Sequence, residues 1–447
     1  MSSLPCAGGV PLSFSLKTHD SLLGRLQNIR FIATCTMETV VNYYWKGPER
    51  KSWSLRFHIT RDILRRYLTE SLPHDTPNDA TESIDFGYIA EYIAMNCLPM
   101  RGLLPSEGCN WEHDIVVDAQ FCTQYAATGY GLSGAKLRAL AAGDLEAAKR
   151  GEPRSFSCQV VASARVARCW VTGRRGPACY DERLLALAPV TADERIILHF
   201  HGGAYCVGER SLTHIPAYAG MSDASGLRVI SPNYRLAPRH HFPSQLHDCF
   251  VAYMSLLQRG FQPANIVLAG DSAGGALALG LLFLLRDMKL PAPAALALIS
   301  PWVDATCSGE SWASSPNHDY LPTLSFEDPF HPTRMFYAPG RRFSDEMLEE
   351  VRCPLVSPLF GDLANLPPML VQKGCDELLR DDIDAFVDKA ERSGANVRLE
   401  GYDHMPHAFI LFDFAKEAQQ AFRSIASFAH AHTSEPARSH GAKRGAD

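Results

Sequence analysis

From about residue 156 onward, short apolar runs alternate with longer stretches whose apolar residues recur at helical spacing. Six of the short runs read as strands: Arg195–Phe200 (RIILHF), Leu227–Ser231, Asn265–Gly270, Ala294–Ser300, Pro368–Lys373 and Asn396–Tyr402. Each is rich in branched residues and bounded by Gly, Pro, Asn or Ser. Phe242–Gly260 and Asp381–Gly394 read as helices. The second opens on acids and closes on glycine, as the helix dipole and a left-handed C-cap favour. Strands alternating with helices predict an α/β fold: a mostly parallel central sheet flanked by helices on both faces. Cys158–Gly173 adds an expected antiparallel hairpin at one edge.

Two regions depart from the alternation. Residues 1–150 hold amphipathic stretches such as Phe57–Leu72 and Ser133–Gly151 but no clear strand series, which predicts a helical N-terminal extension or cap. Residues 302–350 form a long Pro- and aromatic-containing segment between two strands, expected to be a lid-like insertion. The catalytic domain then spans 151–431, and the polar stretch 432–447 reads as a disordered tail. No internal repeat is found.

Composition narrows the function classes. The formal net charge is −6, without a long basic run, so nucleic acid is not an expected partner. Thirteen cysteines are scattered without a C-x-x-C pair, and an odd number cannot all close into disulfides. Reduced, mostly buried thiols and a cytoplasmic location follow as expectations. The N-terminus lacks a signal-peptide pattern, and the most apolar run, Gly274–Leu285, is too short to span a bilayer.

The chemistry concentrates in four places. Gly270-Asp271-Ser272-Ala273-Gly274 fits G-x-S-x-G, the elbow in which a tight strand-to-helix turn presents a serine hydroxyl. A strand precedes it and an apolar helix follows, as the elbow requires. His201-Gly202-Gly203-Ala204 follows another strand directly, so its backbone N–H groups can face a developing oxyanion. A serine nucleophile needs a base and the base an orienting carboxylate. Asp376 lies just past one strand and His407 past the next, in the order Ser272, Asp376, His407. His404 is a rival base, and Asp381 or Asp382 a rival acid, although both aspartates sit where a helix begins.

These segments resemble the hormone-sensitive-lipase-like, or fold-3, branch of the α/β-hydrolases. HGGAY, SPNYRLAPRHHFPSQLHDC, GDSAGG, SPWVD, SPLFGDLANLPPMLVQKGCDELLRDD and MPHAF stand in the family's order across roughly residues 190–430. The resemblance implies an α/β-hydrolase fold and a carboxylic ester hydrolase, with Ser272 as nucleophile, Asp376 as triad acid and His407, favoured over His404, as base. It also implies Gly202, Gly203 and Ala273 as oxyanion donors, with His201, Ala204 and Asp271 supporting them. Two positions depart from the family pattern. Asn233 replaces the usual aspartate before Tyr234, and Ala204 replaces a glycine. Tyr205, Trp302 and Tyr320 are candidates for an apolar pocket.

The implied substrate is a small-molecule ester of short or medium acyl chain, with no metal or cofactor. The N-terminal region also resembles those of fungal secondary-metabolite hydrolases. An acyltransferase or other acyl-serine-based synthase on the same site is one alternative reading, and a non-catalytic small-molecule receptor is another. Oligomeric state is not legible.

Overall fold

All six apolar runs form strands of one sheet. The computed structural model describes residues 22–70, 110–126, 134–163, 165–166, 187–208, 214–314, 318–328, 331–338 and 340–433. The sheet has eight strands in the order β1-β2-β4-β3-β5-β6-β7-β8. Strands β3 (Ile196–Phe200), β4 (Arg228–Pro232), β5 (Ile266–Asp271), β6 (Ala295–Ile299), β7 (Met369–Gly374) and β8 (Val397–Tyr402) run parallel. Strands β3 to β7 are buried at every position. Burial on both faces explains why their sequences read as continuous apolar runs without alternation. The edge strand β8 is half exposed and correspondingly mixed, VRLEGY.

The antiparallel end of the sheet differs from the expected hairpin. Strand β2 is Arg154–Val161, and its partner on the outer side is β1, Asn110–Val117, from within the segment read as a helical extension. β2 also pairs antiparallel with β4. The N-terminal region therefore donates a strand to the central sheet. In NWEHDIVV the inward residues are His113, Ile115 and Val117, a period of two concealed by a polar first half. Beyond β2 the expected hairpin does not continue as a strand at 162–163 or 165–166, and residues 164 and 167–173, like the tail beyond residue 433, lie outside the described residues.

The described helices of the N-terminal region are α1 (Leu22–Lys46), α2 (Leu55–Glu70), α3 (Ala119–Ala126) and α4 (Ala135–Lys149). On one face of the sheet, α5 (Ile215–Ser225) packs Tyr218 and Met221 into the same apolar cluster as Phe422 and Ile425 of the C-terminal helix, Lys416–His432. On the other face, α6 (Ser244–Gln258) and α7 (Ala273–Asp287) form the larger core. Helix α7 is buried nearly throughout, which accounts for its apolar sequence. No described helix is long and apolar enough to cross a membrane.

Asn233 does not carry charge-based support for the neighbouring loop: its amide donates to Ser157 Oγ at 2.5 Å. Asp248 of α6 does so instead. It is wholly buried and accepts from the Arg235 backbone and guanidinium at 2.9 Å, with Arg154 of β2 also at 2.9 Å. Two guanidinium groups outweigh burial and hold its carboxyl below the usual aspartate range.

Candidate active site

The strand order reverses at β3, whose neighbours are β4 on one side and β5 on the other. In open α/β sheets such a reversal leaves a crevice at the carboxyl ends of the strands. The HGGA loop follows β3 and the serine turn follows β5, so topology alone brings them together.

Ser272 occupies φ +54°, ψ −123°, a strained conformation for a residue with a side chain. The turn is fixed on both sides: Ser272 N–H donates to the Ile299 carbonyl at 2.9 Å, and its own carbonyl accepts from Trp302 N–H at 2.9 Å. Gly274 makes the bend possible, because a Cβ there would collide with the Phe200 carbonyl oxygen. The Ser272 hydroxyl stands 2.8 Å from Nε2 of His407. His407 is buried, and its backbone N–H donates to Asp319 Oδ1 at 3.2 Å.

Asp376 is not brought to this histidine. Its Oδ2 accepts from Arg50 at 2.8–2.9 Å and lies 3.8 Å from Nδ1 of His404. The carboxylate facing Nδ1 of His407 is that of the next residue, Glu377, with Oε2 at 3.6 Å. The reason is local. Asp376 N–H bonds the Met405 carbonyl and Leu378 N–H bonds Asp319 Oδ2, so consecutive side chains point to opposite sides of the loop. Glu377 is fully buried. Its carboxylate and His407 Nδ1 face each other at 3.6 Å, beyond hydrogen-bond distance. Burial alone would lower the His407 pKa, but the facing Glu377, with Asp319 and Asp271 behind it, raises it above the ordinary imidazole value. Burial raises the Glu377 pKa in turn, opposed by His407.

The rival residues have other places. His404 is half exposed with its backbone at φ +62°. Asp382 accepts from the Trp312 indole at 2.8 Å, and its burial lifts its pKa to about 7. Asp381 pairs with Arg380 at 2.9 Å.

Of the expected oxyanion donors, Gly202 is already engaged. Its N–H donates to Asp271 Oδ1 at 3.0 Å, so it is not directed at a substrate. Gly203, at φ +107°, Ala204, at φ +53°, and Ala273, at the start of α7, donate their N–H groups to no described acceptor. Asp271 is buried beneath this loop, also accepts from His214 Nε2 at 3.2 Å, and lies 3.7 Å from His199. Burial would raise its pKa, but the imidazoles and their hydrogen bonding carry it well below the usual range. His201 stacks on Tyr234 with ring centres 4.1 Å apart, and burial depresses its pKa to about 3. The Tyr234 hydroxyl donates to the His201 carbonyl at 2.6 Å. His201 and Asp271 thus brace the loop that carries Gly203 and Ala204.

A cavity of about 260 Å³ opens over Ser272. Trp302 and Tyr320 line it, whereas Tyr205 lies in the core, stacked on Phe336 at 3.7 Å. Leu321, Leu324 and Met335 of the insertion form part of the wall, and Thr60, Leu64, Tyr67 and Leu68 of α2 form another part. Sequence reasoning did not single out these α2 residues, nor Glu377, Asp319 and His214. For Glu377 the signal was present as a tandem Asp-Glu past β7. Among the described residues no group of His, Cys, Asp and Glu could hold a metal ion.

Residues 197–411 match the family model described as the alpha/beta hydrolase fold. An acetyl-hydrolase of Streptomyces hygroscopicus is 36% identical over 49% of this chain and 70% of its own length. An esterase of Acinetobacter venetianus is 36% identical over 56% of this chain and 78% of its own length. A crystal structure of an esterase from the bacterial hormone-sensitive lipase family shares the fold at 24% identity and a TM-score of 0.59, covering 86% of this chain and 100% of that one. An esterase/lipase from an uncultured bacterium matches at 25% identity and a TM-score of 0.54, covering 83% and 96%. The sequence motifs, the sheet and these relatives agree, and the chain belongs to the hormone-sensitive-lipase-like α/β-hydrolases as a carboxylic ester hydrolase.

Proposed function

We propose that this hydrolase cleaves neutral, apolar esters of short to medium acyl chain through an acyl-serine, with Ser272, His407 and Glu377 as its triad. The observation that carries the reading is the 2.8 Å contact between the Ser272 hydroxyl and His407 Nε2. His407 takes the hydroxyl proton as Ser272 Oγ bonds to the ester carbonyl carbon. Glu377 steadies the imidazolium, closing its 3.6 Å gap as charge develops. The N–H groups of Gly203, Ala204 and Ala273 receive the oxyanion, the last at a helix N-terminus where negative charge is favoured. Collapse of the tetrahedral intermediate breaks the bond to the alkoxy oxygen, which leaves with the proton from His407. Water repeats the sequence on the acyl-serine and releases the acid.

The cavity lining supports a neutral substrate, because among the described residues it contains no Lys or Arg to pair with an anionic one and its only carboxylate is the engaged Asp271. The test is a series of aryl esters from acetate to octanoate read with intact-protein mass spectrometry. A mass increase equal to the acyl group less one hydrogen, absent in Ser272→Ala, is expected. Hydrolysis by Ser272→Ala at the parent rate overturns the assignment.

A further inference from the structure

The residue that sequence reasoning placed in the triad has a different partner, and the pairing joins two separate parts of the molecule. Asp376 receives Arg50 Nε and Nη2 on a single oxygen at 2.9 and 2.8 Å. Both side chains are mostly shielded from water, at 26% and 13% exposure. Three residues along, the buried Trp53 donates its indole N–H to the His404 carbonyl at 2.7 Å. Phe57 then stacks on Phe412 at 4.6 Å, and the Arg56 guanidinium lies 3.9 Å over the ring of Phe414. One short segment before and into α2 is thus fastened to the loop after β7, which carries Glu377, and to the loop after β8, which carries His407. The same helix continues as the wall formed by Thr60, Leu64, Tyr67 and Leu68.

We propose that the Arg50–Asp376 ion pair is a latch that seats α2 over the cavity, making Arg50 a positioning residue that sets which esters bind. This rests on the triad assigned above, since the latch leaves Asp376 free of any part in the chemistry. Two features carry it: the pair is a charged contact between the segment and the loop after β7, and Trp53 hydrogen-bonds to the loop after β8 beside it. Weakening the latch loosens the wall, which an acetyl group barely meets and a longer chain must contact. The signature is a rise in KM that grows with acyl length, while kcat on acetate stays near the parent value.

The full chain is assayed on p-nitrophenyl acetate, butyrate, hexanoate and octanoate as the parent, Arg50→Met, Asp376→Asn, their double variant and Arg50→Lys. For octanoate, KM is expected to rise about fivefold in each single charge-removing variant. The double variant should be no worse than either single one, because both remove the same pair. Arg50→Lys should recover most of the loss. Equal KM values across the ester series in Arg50→Met, or full additivity in the double variant, overturn the latch. Loss of kcat on acetate by a hundredfold or more in Asp376→Asn, with Glu377→Gln active, instead overturns the triad on which the latch rests. Were Arg50→Met to lose its fold, Asp376→Asn and Arg50→Lys carry the same comparison, since each leaves Trp53 and Phe57 in place.

Discussion

The floor and the wall of the cavity are built on different terms. The floor comes from loops at the carboxyl ends of β3, β5, β7 and β8, where hydrogen bonds and close backbone approach fix nearly every group. Ser272 is held by two backbone bonds, Gly202 by Asp271, and His407 by Asp319. The wall comes from α2 and the insertion after β6, and it meets the cavity through Leu64, Leu68, Leu321, Leu324 and Met335. Apolar contact is non-directional and tolerates changes of shape far better than a strained turn does. On the proposed mechanism, the contrast assigns the reaction and the choice of substrate to separable parts of the chain.

Five experiments sharpen the contrast, beginning with the floor. Ser272→Ala should lower kcat/KM by about 10³-fold or more while thermal unfolding stays cooperative, as measured by steady-state kinetics alongside calorimetry. A fall of about 10²- to 10⁴-fold is expected for Glu377→Gln, because the imidazolium loses its carboxylate. His407→Ala should likewise be far more damaging than His404→Ala, and comparable losses in the two would mean that the base is misassigned. The pH profile comes next in size. Only neutral His407 accepts the serine proton, and its pKa is raised, so kcat/KM should fall with decreasing pH through a midpoint above the ordinary imidazole value of about 6.5. Glu377→Gln should move that midpoint to lower pH, whereas a profile flat from pH 5 to 8 contradicts the mechanism. The smallest effect belongs to the wall. Leu64→Trp, which fills cavity space, should steepen the preference for acetate over octanoate by a few-fold in competition assays.

Much of the floor was legible before any coordinates. The strand-turn-helix context identified Ser272, and the strand before HGGA identified its loop, because both rest on local backbone chemistry that leaves glycines and apolar runs in the sequence. The choice between Asp376 and Glu377 is made within one short loop, but by contacts with residues distant in sequence. Adjacent residues point opposite ways, and which one faces His407 depends on the Asp376 N–H bonding Met405 across the sheet. Gly202 was misread for a similar reason: its N–H looks available until Asp271, from a different strand, accepts it. Strand β1 was missed because Trp111, Glu112, His113 and Asp114 mask its alternation, while β3 and β5 announced themselves through burial on both faces. The wall was least legible, since an amphipathic helix shows that one face is buried but not against what.

The ion cluster at Asp248 bears on where a folding unit begins. The family match starts at residue 197, yet Arg154, one of the two guanidinium groups balancing that wholly buried carboxylate, lies on β2. A chain cut to the family match would leave Asp248 with Arg235 as its one remaining guanidinium partner of the two, and would uncover the β4 edge that β2 pairs with. The segment matched by the family model is therefore smaller than the sheet it belongs to. A fragment meant to behave as the hydrolase has to reach back through β1, to residue 110 or earlier.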